Sequence, residues 1–297
     1  MRLISYRADG PRRDALGVVA GDRWLPAPAL VAGGPSTMTG LLDAGPHALE
    51  ALRAAADPGR IADGGRPLDE IELLAPVPRP GKVVAIGRNY REHVDEEGAE
   101  RPPAPLVFSK WPSSVIGDGG EIRWDPELTA QVDYEAELAV VIGRTARRVS
   151  EADALDHVFG YTCLNDVSAR DLQFGDGQWA RGKSLDTFCP MGPALVTADE
   201  IPDPQALDIS CCVGDRLVQS ANTSQMYFGV AAIISYCSQS FSLEPGDVIA
   251  TGTPGGVGIF RDPPILLADG DEVTVEIEGI GRLRNVCRTE RATVASA

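Results

Sequence analysis

Asp133-Tyr-Glu-Ala-Glu-Leu-Ala-Val-Val-Ile142 carries a strand, read over 134–143, that begins acidic and turns apolar on both faces, so it runs from the mouth of a core into its interior. Side chains alternate along a strand, which puts Glu135 and Glu137 on one face. Two carboxylates side by side at such a mouth are costly, because each raises the pKa of the other and burial adds to the penalty. A bound Mg²⁺ or Mn²⁺ removes that cost, since hard cations favour oxygen ligands. The competing reading is an edge strand with its acids in water, the usual fate of glutamate.

Strands dominate the sequence around this stretch. Further candidates are 82–87 (KVVAIG), 105–110, 158–165 (VFGYTCLN), 192–197, 207–213, 246–252 and 271–278 (DEVTVEIE). Helices are few, at 151–155 and over about 224–241. Strands that do not alternate regularly with helices disfavour a doubly wound nucleotide fold. The expected class is mainly β (α+β), a roll or sandwich with a few covering helices. Ahead of it, 2–8 and 16–25 read as a hairpin, and 38–56 as one helix with Leu41, Leu42, Leu49 and Leu52 at helical spacing, ended by Pro58-Gly59. The proline-rich PVPRPGK (76–82) reads as a linker between a small N-terminal α+β domain, 1–75, and a catalytic domain, 76–297.

The formal net charge of −16 argues against nucleic acid or an anionic membrane as partner. No apolar run approaches the ~20 residues of a membrane span, and MRLISYRADGPRR lacks a signal peptide's apolar segment, so a cytoplasmic location is expected. The six cysteines contain no CxxC pair and read as reduced, mostly buried thiols. Of 27 basic residues only Lys82, Lys110 and Lys183 are lysines. A high-GC genome explains the arginine bias, but a scarce lysine inside a motif still counts.

Asp166, in Leu164-Asn-Asp-Val-Ser-Ala-Arg-Asp171, follows an apolar strand, where a third carboxylate could reach the same ion as Glu135 and Glu137. Three carboxylates would overcompensate Mg²⁺ by one unit and leave about three of its six positions open. A 2-oxo acid could take two of these through a carboxylate oxygen and the ketone oxygen, so that the metal stabilises a developing enolate. A turn or helix-capping role is the alternative for Asp166. In Gly87-Arg-Asn-Tyr-Arg-Glu-His93-Val-Asp-Glu96, a helical turn sets Glu96 beside His93, a pair suited to act as general base for water. A solvated acidic helix is the alternative there. Lys183, in RGKSLDTFCP, could bind a substrate carboxylate or oxyanion; a surface loop is the alternative. Thr251-Gly-Thr-Pro-Gly-Gly-Val-Gly258 lacks both phosphate-binding glycine patterns and reads better as a substrate-lining turn.

Together GRNYREH, DYEAELAVVIG, NDVSARDLQ, RGKSLDTFCPMGP, LEPGDVIATGTPGGVG and GDEVTVEIEGIGRLRN resemble the fumarylacetoacetate hydrolase superfamily over roughly residues 80–286. The bacterial acylpyruvase-like and 2-hydroxyhepta-2,4-diene-1,7-dioate isomerase-like branch fits better than fumarylacetoacetase itself. The resemblance implies a β-sandwich roll behind a small N-terminal domain, and a homodimer. It puts the metal ligands on Glu135, Glu137 and Asp166, the His–Glu dyad on His93 and Glu96, and the active-site lysine on Lys183. Arg88, Tyr90, Gln173 and Thr253 become substrate-binding candidates, and 94–104 a lid.

The expected activity is hydrolysis of a C–C bond in a 2,4-dioxo acid of acylpyruvate type, with one Mg²⁺ or Mn²⁺ per subunit. Two alternatives use the same metal-held enolate: decarboxylation of oxaloacetate, and isomerisation of a hydroxymuconate-type diacid from aromatic catabolism. A protein holding a purely structural ion is a remote one, since such a site has little use for open coordination positions.

Overall fold

In a computed structural model that describes residues 1–8 and 14–291, the strand Ala136–Ile142 is buried along its whole length. Ala136, Leu138, Val140 and Ile142 enter one apolar cluster, while Ala139 and Val141 enter another on the opposite face. Burying each of the larger side chains stabilises the fold by roughly 1.5–3 kcal/mol, so a one-residue slip, which would exchange the two faces, is strongly opposed.

This strand is central to a twelve-stranded sheet. It pairs antiparallel with Val158–Asn165 and with Val248–Ala250. Val248–Ala250 runs parallel to Val83–Gly87, which pairs with the edge strand Leu106–Lys110. In the other direction Val158–Asn165 pairs with Cys189–Thr197, and that strand with Arg2–Arg7 of the N-terminal hairpin. The ladder therefore runs continuously from the N-terminal segment into the remainder of the chain. The sheet is rolled: Lys110, on the edge strand, bonds Asp166 at the end of Val158–Asn165, although three strands intervene in the sheet order.

A five-stranded sheet, Arg216–Asn222, Asp208–Val213, Glu272–Ile277, Gly281–Thr289 and Glu121–Trp124, covers one face. Its Ile209, Cys211, Val273, Val275 and Ile277 share a cluster with Leu138 and Val140. The fold is thus mainly β, a sandwich roll with few helices. All six cysteines are free, and Cys212 alone among them is only partly buried.

Several expected elements differ. The single helix over 38–56 is two, Met38–Ala44 and Pro46–Ala55, broken at Gly45, whose φ is +77°. Pro46 lacks the N–H that a continuing helix needs, yet suits the first turn of a new one. Pro58-Gly59 opens a further helix, Pro58–Gly64, because the Asp57 side chain accepts from the Arg60 N–H and caps it. Residues 151–155 give only a turn before the 3₁₀ segment Ala154–His157. The long helix starts at Val230 rather than 224: Asn89 holds both the N–H and the carbonyl of Phe228, and Gln205 accepts from the Val230 N–H at 2.6 Å. Residues 75–77 are buried, and Ser5 donates to the Pro76 carbonyl at 2.7 Å. Of the span 76–297, residues 292–297 lie outside the described residues. No helix among the described residues is long and apolar enough to cross a membrane.

Candidate active site

Asp166 lies just beyond Asn165, which pairs with Ala136, so the sheet register itself brings the acids together. Two hydrogen bonds lock the junction: the Glu135 N–H donates to the Asn165 side chain at 3.0 Å, and the Asp166 N–H to the Glu135 carbonyl at 2.8 Å. Glu135, Glu137 and Asp166 are 4%, 1% and 0% exposed. Their ligand oxygens lie within 4.8 Å of one another.

Three cations surround them. The Lys183 ammonium donates to Glu135 at 2.7 Å and to Asp166 at 2.9 Å. Lys110 donates to Asp166 at 2.5 Å and to the carbonyls of Val167 and Lys183. Arg170 pairs with Glu135 at 2.7 Å and with Asp133 at 2.9 Å. Asp133 also accepts from the N–H groups of Gly258 and Ile259. A side-chain carbon at Gly258 would collide with the Ile265 carbonyl, so only glycine lets that backbone close on Asp133.

Four buried carboxylates (Asp133, Glu135, Glu137, Asp166) thus face three buried cations (Lys110, Arg170, Lys183). Burial would raise the Glu135 pKa, but Lys183 and Arg170 outweigh it and hold the carboxyl below its usual range. Glu137 goes the other way. Burial, then the charges of Asp166 and Glu135, push it well above the usual carboxylate range against Lys183 and the Gly252 N–H. Burial lowers the Lys183 pKa less than Asp166 and Glu135 raise it, so the ammonium is kept. Four carboxylates exceed three cations only when Glu137 is ionised, and its raised pKa shows what that charge costs without a further cation; three hard oxygens in mutual reach fit a divalent one.

His93 stands on the helix Arg91–Glu96 and its Nδ1 is 2.8 Å from Glu96 Oε1. Glu96 is fixed in turn by the Gly256 N–H at 2.7 Å. A carboxylate at Nδ1 assigns the proton there and leaves Nε2 as the basic nitrogen. His93, Glu135, Glu137, Lys183, Arg88, Gln173 and Thr253 all line one cleft. Gln173 accepts from Arg170 at 3.0 Å. Thr253 accepts from Gln219, whose carbonyl oxygen accepts the Ala136 N–H, tying the Thr251–Pro254 turn to the acid-bearing strand. Arg88 is held by Glu97. Tyr90 is placed differently: it is 0% exposed, is not among the residues lining the cleft, and its hydroxyl has no hydrogen-bond partner.

Sequence reasoning missed Lys110, Asp133, Arg170 and Gln219. Asp133 and Arg170 sat inside the quoted motifs, and the rarity of lysine pointed at Lys110, but nothing singled out Gln219.

The family described as fumarylacetoacetate (FAA) hydrolase C-terminal matches residues 82–288. The Bos taurus protein named "Oxaloacetate tautomerase FAHD2B, mitochondrial" is 43% identical over 289 residues, which cover 96% of this chain and 91% of that protein. The "Oxaloacetate tautomerase YisK" of Bacillus subtilis (strain 168) is 48% identical over 221 residues, 73% of each chain. Among solved structures, the fumarylacetoacetate hydrolase EaFAH of Exiguobacterium antarcticum superposes with a TM-score of 0.84 at 38% identity, covering 98% of this chain and 100% of that one.

Proposed function

The chain belongs to the fumarylacetoacetate hydrolase family, and within it we propose that this protein is a divalent-metal-dependent tautomerase of oxaloacetate-type 2-oxo acids. The observation that carries the reading is one cleft lined by a carboxylate-held histidine and by Glu135 and Glu137, whose ligand oxygens lie within reach of buried Asp166. The two tautomerase relatives support the choice of reaction.

Mg²⁺ or Mn²⁺ on Glu135, Glu137 and Asp166 would supply Lewis-acid polarisation of the 2-oxo group, which acidifies the C3 hydrogens. The chain's own groups do the rest. In the keto-to-enol direction His93 Nε2 takes a C3 proton, the C3–H electron pair becomes the C2=C3 bond, and a solvent proton completes the enol. Glu96 keeps the imidazole oriented and favours its charged form during transfer. Lys183 donates a hydrogen bond toward the oxygen on which charge develops, while Lys110 holds Asp166 and Arg170 holds Glu135 in place. Burial of these groups strengthens each charge interaction. The same reading takes the functional unit to be a homodimer in the cytoplasm, with one metal centre per subunit.

Hydrolysis of a C–C bond in a 2,4-dioxo acid is the second reading, because His93 with Glu96 could equally activate water and the superposed Exiguobacterium protein is named a hydrolase. Parallel assays separate them: loss of enol-oxaloacetate absorbance, release of pyruvate from oxaloacetate, and cleavage of acetylpyruvate, each with Mg²⁺, Mn²⁺ or chelator. Accelerated, metal-dependent ketonisation is the expected result. Cleavage of acetylpyruvate with no effect on the enol would replace this reading by hydrolysis.

A further inference from the structure

Arg88 and Glu97 line the cleft without touching the acidic triad. Arg88 Nε donates to Glu97 Oε2 at 2.8 Å and Nη2 to Oε1 at 2.5 Å, a two-point fork. Glu97 is the residue that ends the helix Arg91–Glu96, so it rides on the element that carries His93 and Glu96. Arg88 is in the left-handed region, φ +54°, which is uncommon for a residue other than glycine. Its guanidinium lies 5.9 Å from the Trp179 ring. Trp179 meets Phe108 edge-on at 5.3 Å, and Phe108 lies 5.4 Å from the Lys183 ammonium. Arg88 and Lys183 are therefore the two ends of one aromatic wall.

The cations along that cleft are not equally committed. Lys183 and Arg170 are both 2% exposed and tied to buried carboxylates of the sheet. Arg88 is 34% exposed, and its partner Glu97 sits on the covering helix. Arg88 is the cation placed to exchange partners without breaking the core.

We propose that Arg88 recognises the second carboxylate of a 2-oxo diacid, and that Glu97 occupies that place when no substrate is bound. The proposal rests on the 2-oxo acid reading above and specifies its substrate class. A carboxylate replacing a carboxylate keeps the charge and the fork geometry, so the exchange costs little. A neutral tail offers Arg88 nothing in return and leaves it on Glu97. The diacid should gain about ten- to a hundredfold in affinity from this contact.

The test is calorimetric binding to the Mg²⁺-loaded full chain. One ligand is 3,3-difluoro-oxaloacetate, a diacid with no C3 proton; the other is oxamate, which keeps the chelating head without a second carboxylate. Arg88→Gln should weaken the diacid about ten- to a hundredfold and leave oxamate within about twofold. Glu97→Gln should tighten the diacid and leave oxamate unchanged. Equal losses for both ligands in Arg88→Gln, or weaker diacid binding in Glu97→Gln, would make the pair a structural latch and overturn the proposal. Should Arg88→Gln fail to fold, Arg88→Lys keeps the charge but not the fork; an unchanged diacid affinity there overturns it too. A wild-type protein that enolises oxaloacetate while Arg88→Gln discriminates nothing refutes the exchange alone. One that shows Arg88-dependent diacid binding but does not enolise oxaloacetate refutes the tautomerase reading and leaves the exchange standing.

Discussion

Replacing Lys110 by methionine removes a wholly buried ammonium whose absence the site should register strongly. The Lys110–Asp166 pair is 2.5 Å apart and both side chains are 0% exposed. At an effective dielectric of about 20 that separation corresponds to an attraction of roughly 6–7 kcal/mol. Deleting the ammonium also removes its own desolvation cost of several kcal/mol, so the net loss expected for breaking such a buried pair is about 3–5 kcal/mol. Methionine roughly fills the volume, which keeps any cavity contribution small. For a chain of this size the loss corresponds to a fall in melting midpoint of roughly 6–15 °C. Calorimetric melts with chelator should show that fall, and melts with Mg²⁺ a smaller one, because the added cation restores positive charge beside Asp166. A midpoint unchanged with chelator, or a larger fall with Mg²⁺, would show that Lys110 does not serve as counter-charge to the acidic centre.

Glu137 gives a pH test. Its pKa in the folded protein lies well above the usual range, first through burial and then through Asp166 and Glu135. A raised folded value means that its stabilising contribution is complete below the unfolded value of about 4.3 and is lost as pH rises through the folded one. Melts in chelator should therefore lose stability over that rise, Glu137→Gln should abolish that part of the pH dependence, and Mg²⁺ should no longer protect the variant; an identical pH profile in wild type and variant contradicts the assignment. His93→Gln should slow enolisation about 10²–10⁴-fold while leaving the Mg²⁺-induced shift in midpoint intact. A rate within threefold of wild type would exclude His93 as the base.

The strands that decide the fold were legible because burial on both faces leaves a continuous apolar run: 158–165 coincides with Val158–Asn165, and 134–143 overlaps Ala136–Ile142. Glu121–Trp124, Arg216–Asn222 and Gly281–Thr289 were not, because each carries arginine on an outward face and presents no apolar run. The start of the helix at Val230 depends on Asn89 and Gln205, far away in sequence, so no local pattern marks it. At the site, Glu135, Glu137, Asp166, His93 and Lys183 were readable because motif spacing and residue chemistry agreed. The supporting charges were not. Lys110 meets Asp166 across 56 positions and Arg170 meets Asp133 across 37, contacts made only by rolling the sheet. Tyr90 shows a different limit: motif spacing does not tell that its side chain is buried, with its hydroxyl close enough to Glu137 to feel that charge.

The convergence of three carboxylates on one cation is tested most directly by anomalous diffraction from crystals soaked in Mn²⁺. A single strong peak within about 2–2.5 Å of oxygens from Glu135, Glu137 and Asp166 is the predicted result. A fully soaked crystal with no peak there, and Lys183 still bridging Glu135 and Asp166, would contradict it.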